Sequence, residues 1–306
     1  MIVGATFIVY ICLMILIGYL AWRRTKNLSD YILGGRRLGS WVTAMSASAS
    51  DMSGWLLLGL PGYAYAAGLE AGWIALGLLV GTYFNWRLVA ARLRHYSVIA
   101  GDSQTLPEFF ENRFHDKSRL LRTVSAIFIL LFFLFYTSSG LVAGGKLFNA
   151  VFELPYHWAV TAGALVIVIY TFFGGFLAVS WTDLFQGLLM ALSLLIAPLV
   201  SISSMGGWGV TLSTVSETNP ALLNALTDIK NEPLGLLAII SLIAWCLGYF
   251  GQPHILARFK AILSVDEIPA ARRIAMSWVS ITLICAFLFG LLCIGYLEQP
   301  LNGADS

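Results

Sequence analysis

Ser46-Ala47-Ser48-Ala49-Ser50-Asp51-Met52-Ser53-Gly54 is the stretch that decides how this chain folds. It lies inside an apolar run, about Gly39–Leu60, that otherwise has the length of a bilayer-crossing helix. A carboxylate near the middle of such a span costs at least about 2.5–3.5 kcal/mol. Four Ser, one Asp and one Gly within nine residues weaken the helix further, because Ser and Asp side chains compete for backbone hydrogen bonds. Irregular backbone at that depth is tolerated only inside protein or beside water. An unwound turn there frees carbonyls to coordinate a small cation. The stretch therefore predicts an interrupted helix at Asp51, with Ser hydroxyls and freed carbonyls as sodium ligands. The competing reading is an Asp held by helix–helix hydrogen bonds among small packing residues.

Working outward, a second interruption appears at Trp245-Cys246-Leu247-Gly248-Tyr249-Phe250-Gly251-Gln252-Pro253. Two Gly and a Pro weaken this helix, and Pro removes a donor. A helix places Trp245 and Tyr249, four residues apart, on one face, where they would wall a pocket for a small, partly apolar solute. Aromatic packing around a Pro kink is the alternative. Two interrupted segments at corresponding places in two halves of a membrane chain point to a transporter's binding site. These two lie five spans apart and run in opposite directions, as a five-helix repeat with inverted topology requires.

Composition supports a chain solvated by lipid. Apolar residues make up 58% and charged residues 11%, against about 25% charged in soluble domains. Eight apolar spans are predicted: Val3–Ala21, Gly39–Leu60, Leu69–Val89, Leu121–Phe148, Trp158–Leu177, Asp183–Ser204, Leu234–Leu256 and Ile274–Tyr296. Continuous runs such as Phe128–Phe135 exclude a β-barrel, whose strands alternate. Of the 18 basic residues, all but Lys146 and Lys230 fall in or beside the connections after spans one, three and seven. The positive-inside rule then puts these connections in the cytoplasm and the N-terminus outside. The first span has no basic residue before it and no small-residue cleavage pattern after it, so it reads as a retained helix and not a signal peptide.

Other chemistry is excluded by what the sequence holds. A net charge of +2 is too small for nucleic-acid binding. Cys12, Cys246, Cys285 and Cys293 lie in apolar runs with no Cys-x-x-Cys pair, and the four histidines make no zinc motif. No nucleophile motif or paired metal ligands suggest an enzyme, and neither a cofactor nor an obligate protein partner is expected.

Smaller signals punctuate the chain. Thr105-Leu106-Pro107-Glu108 is a capping box that starts a short amphipathic helix through Phe109, Phe110 and Phe114. The connection at about 206–233 is polar, includes Asn219-Pro220, and is long enough to hold structure of its own. Ser180-x-x-Asp183 reads as a capping box for span six, and Gly174-Gly175 as a tight turn. Tyr136-Thr137-Ser138-Ser139-Gly140 is a polar patch that would face the site, although small-residue packing explains it as well. Arg36 and Arg37 serve as topology signals or as an inner gate. The chain stops at Asn302-Gly303-Ala304-Asp305-Ser306, soon after a span, and reads as an interrupted frame or partial sequence.

Four blocks resemble the sodium/solute symporter family: Asp30-Tyr31-Ile32-Leu33-Gly34-Gly35-Arg36, Ala49-Ser50-Asp51-Met52-Ser53-Gly54-Trp55, the run Gly174 to Asp183, and the run Leu247 to Phe259. The second and fourth resemble the proline-carrying branch in particular. The resemblance covers essentially the whole chain. It implies an all-α polytopic membrane protein, an inverted-repeat (five-plus-five helix) transporter bundle with one extra N-terminal helix and a truncated second repeat. Residues 1–306 would form one transmembrane domain, with the extra helix at 3–21, the first repeat at about 39–204 and the start of the second at about 234–296. The implied function is sodium-coupled symport of L-proline into the cell across the bacterial inner membrane. The alternatives are symport of another small solute, or a membrane sensor module of the same fold. Backbone oxygens of Ala49 and Met52 would ligate sodium, with Asp51 and Ser53 in the same region. Tyr136, Trp245, Tyr249 and Pro253 would line the proline pocket, with Ser53 and Gly59 near it. Arg36 and Asp183 would affect coupling from the cytoplasmic side. A later helix of the family supplies hydroxyls to the sodium site, so the site is expected to be incomplete in these 306 residues.

Overall fold

The computed structural model describes residues 2–297; the sequence-end anomaly at Asn302–Ser306 lies outside them. The described chain is helical almost throughout. Its β features are two isolated bridges, Leu38 with Ile262 and Thr227 with Pro233.

α1 (Ile2–Arg24) ends on Arg23 and Arg24, where cations suit the negative end of the helix dipole. α2 (Leu28–Leu33) is capped by the Asn27 side chain, which accepts the Asp30 N–H at 2.8 Å. α3 (Ser40–Gly54) breaks at Ser53, with φ 39° and ψ −144°. A π-type turn, Trp55–Gly59, leads into α4 (Leu60–Ala67). α5 (Gly72–Phe84) and α6 (Ala91–Ile99) are joined by a second wide turn, Asn85–Ala90. α7 (Leu106–Phe114) begins with the predicted capping box of Thr105 and Glu108. α8 (Leu120–Phe152) and α9 (Tyr156–Ser204) are long. α10 (Trp208–Thr218) and a short turn capped by Asn219 occupy the polar connection that follows. α11 (Leu236–Ala244) tightens into a 3₁₀ turn, Trp245–Phe250, before α12 (Pro253–Ala261) and α13 (Ile268–Tyr296).

Among the described residues, five helical stretches are long and apolar enough to cross a membrane: Gly4–Arg24, Ser40–Ile99, Leu120–Phe152, Tyr156–Ser204 and Val265–Tyr296. A sixth is added if the segments either side of Gly251–Gln252 form one broken span. Two of the five are too long for one crossing. At 1.5 Å per residue, 49 residues reach about 74 Å, against about 30 Å of hydrocarbon. Both are broken, Ser40–Ile99 at Gly68 (φ 64°, ψ −138°) and α9 at Gly175 (φ 56°, ψ −150°). The first break falls between the predicted spans two and three, and the second two residues before the predicted end of span five at Leu177. α8 exposes Phe128, Leu130, Phe132, Leu134 and Phe135, a surface suited to lipid. The chain is a multi-pass α-helical membrane protein.

The break at Gly175 corrects one sequence reading. Ser180 and Asp183 do not cap a helix, because they lie inside one. Ser180 Oγ donates back to the Phe176 carbonyl at 2.8 Å. The helix restarts at the glycine, the residue that tolerates this backbone conformation, and not at Ser180 or Asp183 further along.

The chain forms two compact units interleaved along the sequence. The first comprises Met1–Asp51, Leu88–Gln186 and Pro253–Ala271, and the second Met52–Arg87, Gly187–Gln252 and the chain from Arg272 onward. In the first, Leu33, Leu38, Val42 and Ala261 form a core against Phe176, Leu177, Trp181 and Leu184. The start of α3 is stitched to the end of α12: the Leu38 N–H donates to the Ala261 carbonyl at 3.2 Å, and the Leu263 N–H to the Leu38 carbonyl at 2.9 Å. In the second, α5 packs on α11 so closely that a Cβ at Gly77 would sit 2.8 Å from the Ile243 Cα, the close approach that small residues allow between membrane helices.

Candidate functional site

In the first unit the last turn of α3 before the break carries Ala49, Ser50 and Asp51. A helix end leaves carbonyls without intrahelical partners, and the Ser50 carbonyl accepts the Tyr136 hydroxyl at 2.7 Å. Tyr136 thus connects α8 to this turn. The Tyr136 ring stacks on His254 at 5.4 Å between centroids, and Phe133 meets His254 edge-on at 5.6 Å. His254 Nε2 stands 3.5 Å from Asp51 Oδ1. Ala49 is buried. Pro253 opens α12 and so presents His254 one residue into that helix.

One turn earlier, Ser46 Oγ donates to Asp183 Oδ2 at 2.6 Å and accepts Arg258 Nε at 2.9 Å. Arg258 Nη2 reaches Asp183 Oδ2 at 2.9 Å, and Nη1 donates to the His254 carbonyl at 3.0 Å. Asp183 is 8% exposed and Arg258 5%. Two buried opposite charges are tolerated because each is paired and hydrogen-bonded. The Arg258 guanidinium also lies 5.2 Å from the centre of the Phe176 ring. Asp183, predicted to influence coupling, therefore joins α9 to α3 and α12.

Arg36 belongs to a different cluster. Its guanidinium donates to Ser97 Oγ at 2.8 Å and the Ser103 carbonyl at 3.0 Å, and pairs with Asp102 at 2.8 Å. Burial pushes it below the usual arginine range, while Asp102 and Glu108 oppose that shift. Fully buried Lys260 donates to the Thr105 carbonyl at 2.9 Å beside it. This cluster ties the entry to α3, the connection between α6 and α7, and the end of α12.

The second unit holds the other predicted residues. Met52 is buried just before the break, and Ser53 is the break itself. The interruption expected at Asp51 thus falls two residues later, leaving Asp51 in helical backbone. Trp55 packs on Trp245 with centroids 5.6 Å apart. Trp55 also lies over Gly59, where a Cβ would come within 2.6 Å of its ring. The Tyr249 carbonyl accepts Asn85 Nδ2 at 2.9 Å. Trp245 and Tyr249 do not share a face as expected: Trp245 is 55% exposed and Tyr249 5%. The cause is the 3₁₀ turn, whose three residues per turn rotate positions four apart away from each other.

Sequence reasoning did not single out Ser46, Trp55, His254, Arg258 or Lys260. The available signal was charge in the wrong place: Arg258 and Lys260 follow an apolar span closely, and α12 extends five residues past the predicted end at Leu256 to include them.

The model of the sodium:solute symporter family matches residues 31–300. The sodium/proline symporter of Escherichia coli (strain K12) is 52% identical over 294 residues, 96% of this chain and 58% of that protein. The high-affinity proline transporter PutP of Bacillus subtilis (strain 168) is 52% identical over 289 residues, 94% of this chain and 59% of that protein. The sodium/proline symporter of Haemophilus influenzae is 53% identical over 293 residues, 95% of this chain and 58% of that protein. The chain therefore spans somewhat more than half the length of these relatives. Among solved structures, a Na+-coupled sialic acid symporter in a substrate-bound outward-open state superposes with a TM-score of 0.78 at 20% identity, covering 97% of this chain and 61% of that one; the likeness shows a shared fold. With its helices broken at Ser53 and at Gly251–Gln252, and a family match running through both breaks, the chain belongs to the sodium:solute symporter family.

Proposed function

We propose that the chain works in sodium-coupled symport of L-proline into the cell, across the bacterial plasma membrane. The observation that carries this reading is 52% identity, over nearly the whole chain, to proteins named sodium/proline symporters. The geometry supports it. The break at Ser53 frees carbonyls in the preceding turn, and Tyr136 holds one of them.

In this reading backbone oxygens of Ala49 and Met52 ligate sodium, with Asp51 and Ser53 supporting them. Sodium asks only for a few oxygens, and an interrupted helix supplies them already desolvated. Tyr136, Pro253, Ser53, Gly59, Trp245 and Tyr249 serve the solute. Aromatic rings suit the apolar pyrrolidine, and N–H groups at a half-helix start suit its carboxylate. Arg36 and Asp183 act in coupling, each through its own buried cluster. Residues 1–306 form one transmembrane domain, α1 is an extra helix before the repeats, and α3 to α9 and α11 onward belong to two repeats of inverted topology. The N-terminus lies outside.

Labelled-proline uptake in cells expressing the protein is the test, with and without an inward sodium gradient. Uptake indifferent to sodium would sink the coupling. Another small solute on the same scaffold is the second reading, because the structural neighbour is named for sialic acid. Unlabelled competitors separate the two: proline alone should suppress the signal at low concentration.

A further inference from the structure

His254 is buried, at 8% exposed, yet neither ring nitrogen has a hydrogen-bond partner among the described residues. Such atoms are rare in native proteins, because each forfeits its hydration without replacement. One that persists marks a place where a partner arrives. The nearest acceptor is the Asp51 carboxylate, 3.5 Å from Nε2. A shift of a few tenths of an ångström brings it into the ordinary hydrogen-bond range of about 2.7–3.2 Å.

The surroundings hold the ring in place without using its nitrogens. Tyr136 stacks on one side with an interplanar angle of 28°, and Phe133 meets it at 65°. The His254 carbonyl is anchored by Arg258. The contacts close a circuit within the first unit. Asp51 follows Ser50 in the chain, the Ser50 carbonyl takes the Tyr136 hydroxyl, the Tyr136 ring lies on His254, and His254 faces Asp51.

We propose that His254 is a positioning residue that couples the cation-binding turn to the solute-binding tyrosine. When oxygens of the Ala49–Asp51 turn gather around a cation, the imidazole N–H closes onto Asp51. The stacked ring then carries that movement to Tyr136, and the Ser50 carbonyl returns it. A neutral imidazole suffices, with one donor for Asp51 and one face for Tyr136, and no change of charge is involved. This rests on the sodium and solute roles proposed above.

The two halves of the role are separable. His254→Phe keeps the ring face and removes the donor; His254→Gln keeps an N–H donor and removes the face. In sodium-driven proline uptake, H254F is expected to raise the half-saturating sodium concentration about ten- to a hundredfold, the worth of one hydrogen bond to a charged group. Its half-saturating proline should move little at saturating sodium. H254Q should restore the sodium constant and raise the proline constant instead. A purely structural residue would lower the maximal rate in both variants and leave both constants alone, and that result would overturn the proposal. So would two variants indistinguishable from the parent protein. If a variant inserts poorly, sodium titration of thermal unfolding on purified protein gives the sodium constant directly; equal constants in H254F and the parent again overturn it. A parent that shows no sodium-dependent uptake would instead defeat the functional reading itself, and with it this one.

Discussion

Ser53 adopts φ 39° and ψ −144°, a conformation that residues with a Cβ rarely occupy and that costs on the order of 1–3 kcal/mol. Strain of this kind persists only where the surroundings over-determine it. The density of Ser and Gly around Asp51 made the interruption legible, but not its position. Asp51 draws attention as the costly charge, while the backbone breaks at the next serine, two residues on. The partners of the charges were less legible still, because they come from remote helices. Asp183 gains Ser46 and Arg258 only once α3, α9 and α12 are packed. Breaking such a buried pair by removing one partner typically costs about 3–5 kcal/mol, since the other charge is left uncompensated. Asp183→Asn should therefore lower the thermal stability of the purified protein sharply. The double variant D183N/R258Q should recover a large part of the loss. If the double variant is no more stable than D183N, the pair is not what holds these helices.

At the scale of elements, the sequence pattern succeeded where local chemistry decides and failed where geometry changes over a few residues. The capping box of α7 and the break beside Gly174 are local, and both are present. The shared face of Trp245 and Tyr249 assumed 3.6 residues per turn, and the 3₁₀ turn before Gly251 removed it. Gly175 shows the constraint most directly. Its φ of 56° and ψ of −150° belong to a region nearly exclusive to glycine, and a Cβ there would lie 2.7 Å from the Tyr31 carbonyl oxygen. Gly175→Ala should cost on the order of 1–3 kcal/mol, read as a lower unfolding midpoint in detergent, whereas Gly140→Ala, in open space on α8, should be nearly neutral. Equal midpoints would show that α9 can bend without a glycine. The α2 junction carries a pH signature. Asp30 accepts the Lys26 N–H at 3.1 Å and pairs with Arg37, and these contacts, the backbone bond first, hold its carboxyl below its ordinary value of 3.8. A depressed carboxylate pKa adds stability above the ordinary value, and that stability disappears as pH falls through the folded value. Thermal midpoints taken from pH 6 downward should fall more steeply in the parent than in Asp30→Asn; parallel curves would remove Asp30 from the balance.

For the whole molecule, fold class was legible because lipid permits so few solutions. Long apolar runs separated by connections of unequal basic charge define a polytopic helical membrane protein before any contact is known. The grouping of the chain into two interleaved compact units was not legible, since no span announces where its neighbours lie. Direction across the membrane follows from charge alone. With all but Lys146 and Lys230 of the 18 basic residues clustered near three connections, the proposed orientation puts those connections in the cytoplasm and the polar segment around α10 outside. Lys117, after α7, and Lys230, before α11, are both exposed and lie on opposite sides in this reading. In a background with Cys12, Cys246, Cys285 and Cys293 replaced, Lys230→Cys should react with a membrane-impermeant thiol reagent on intact cells. Lys117→Cys should react only in inverted vesicles. The opposite pattern would reverse the orientation of every span, and with it the direction assigned to the broken helix at Ser53.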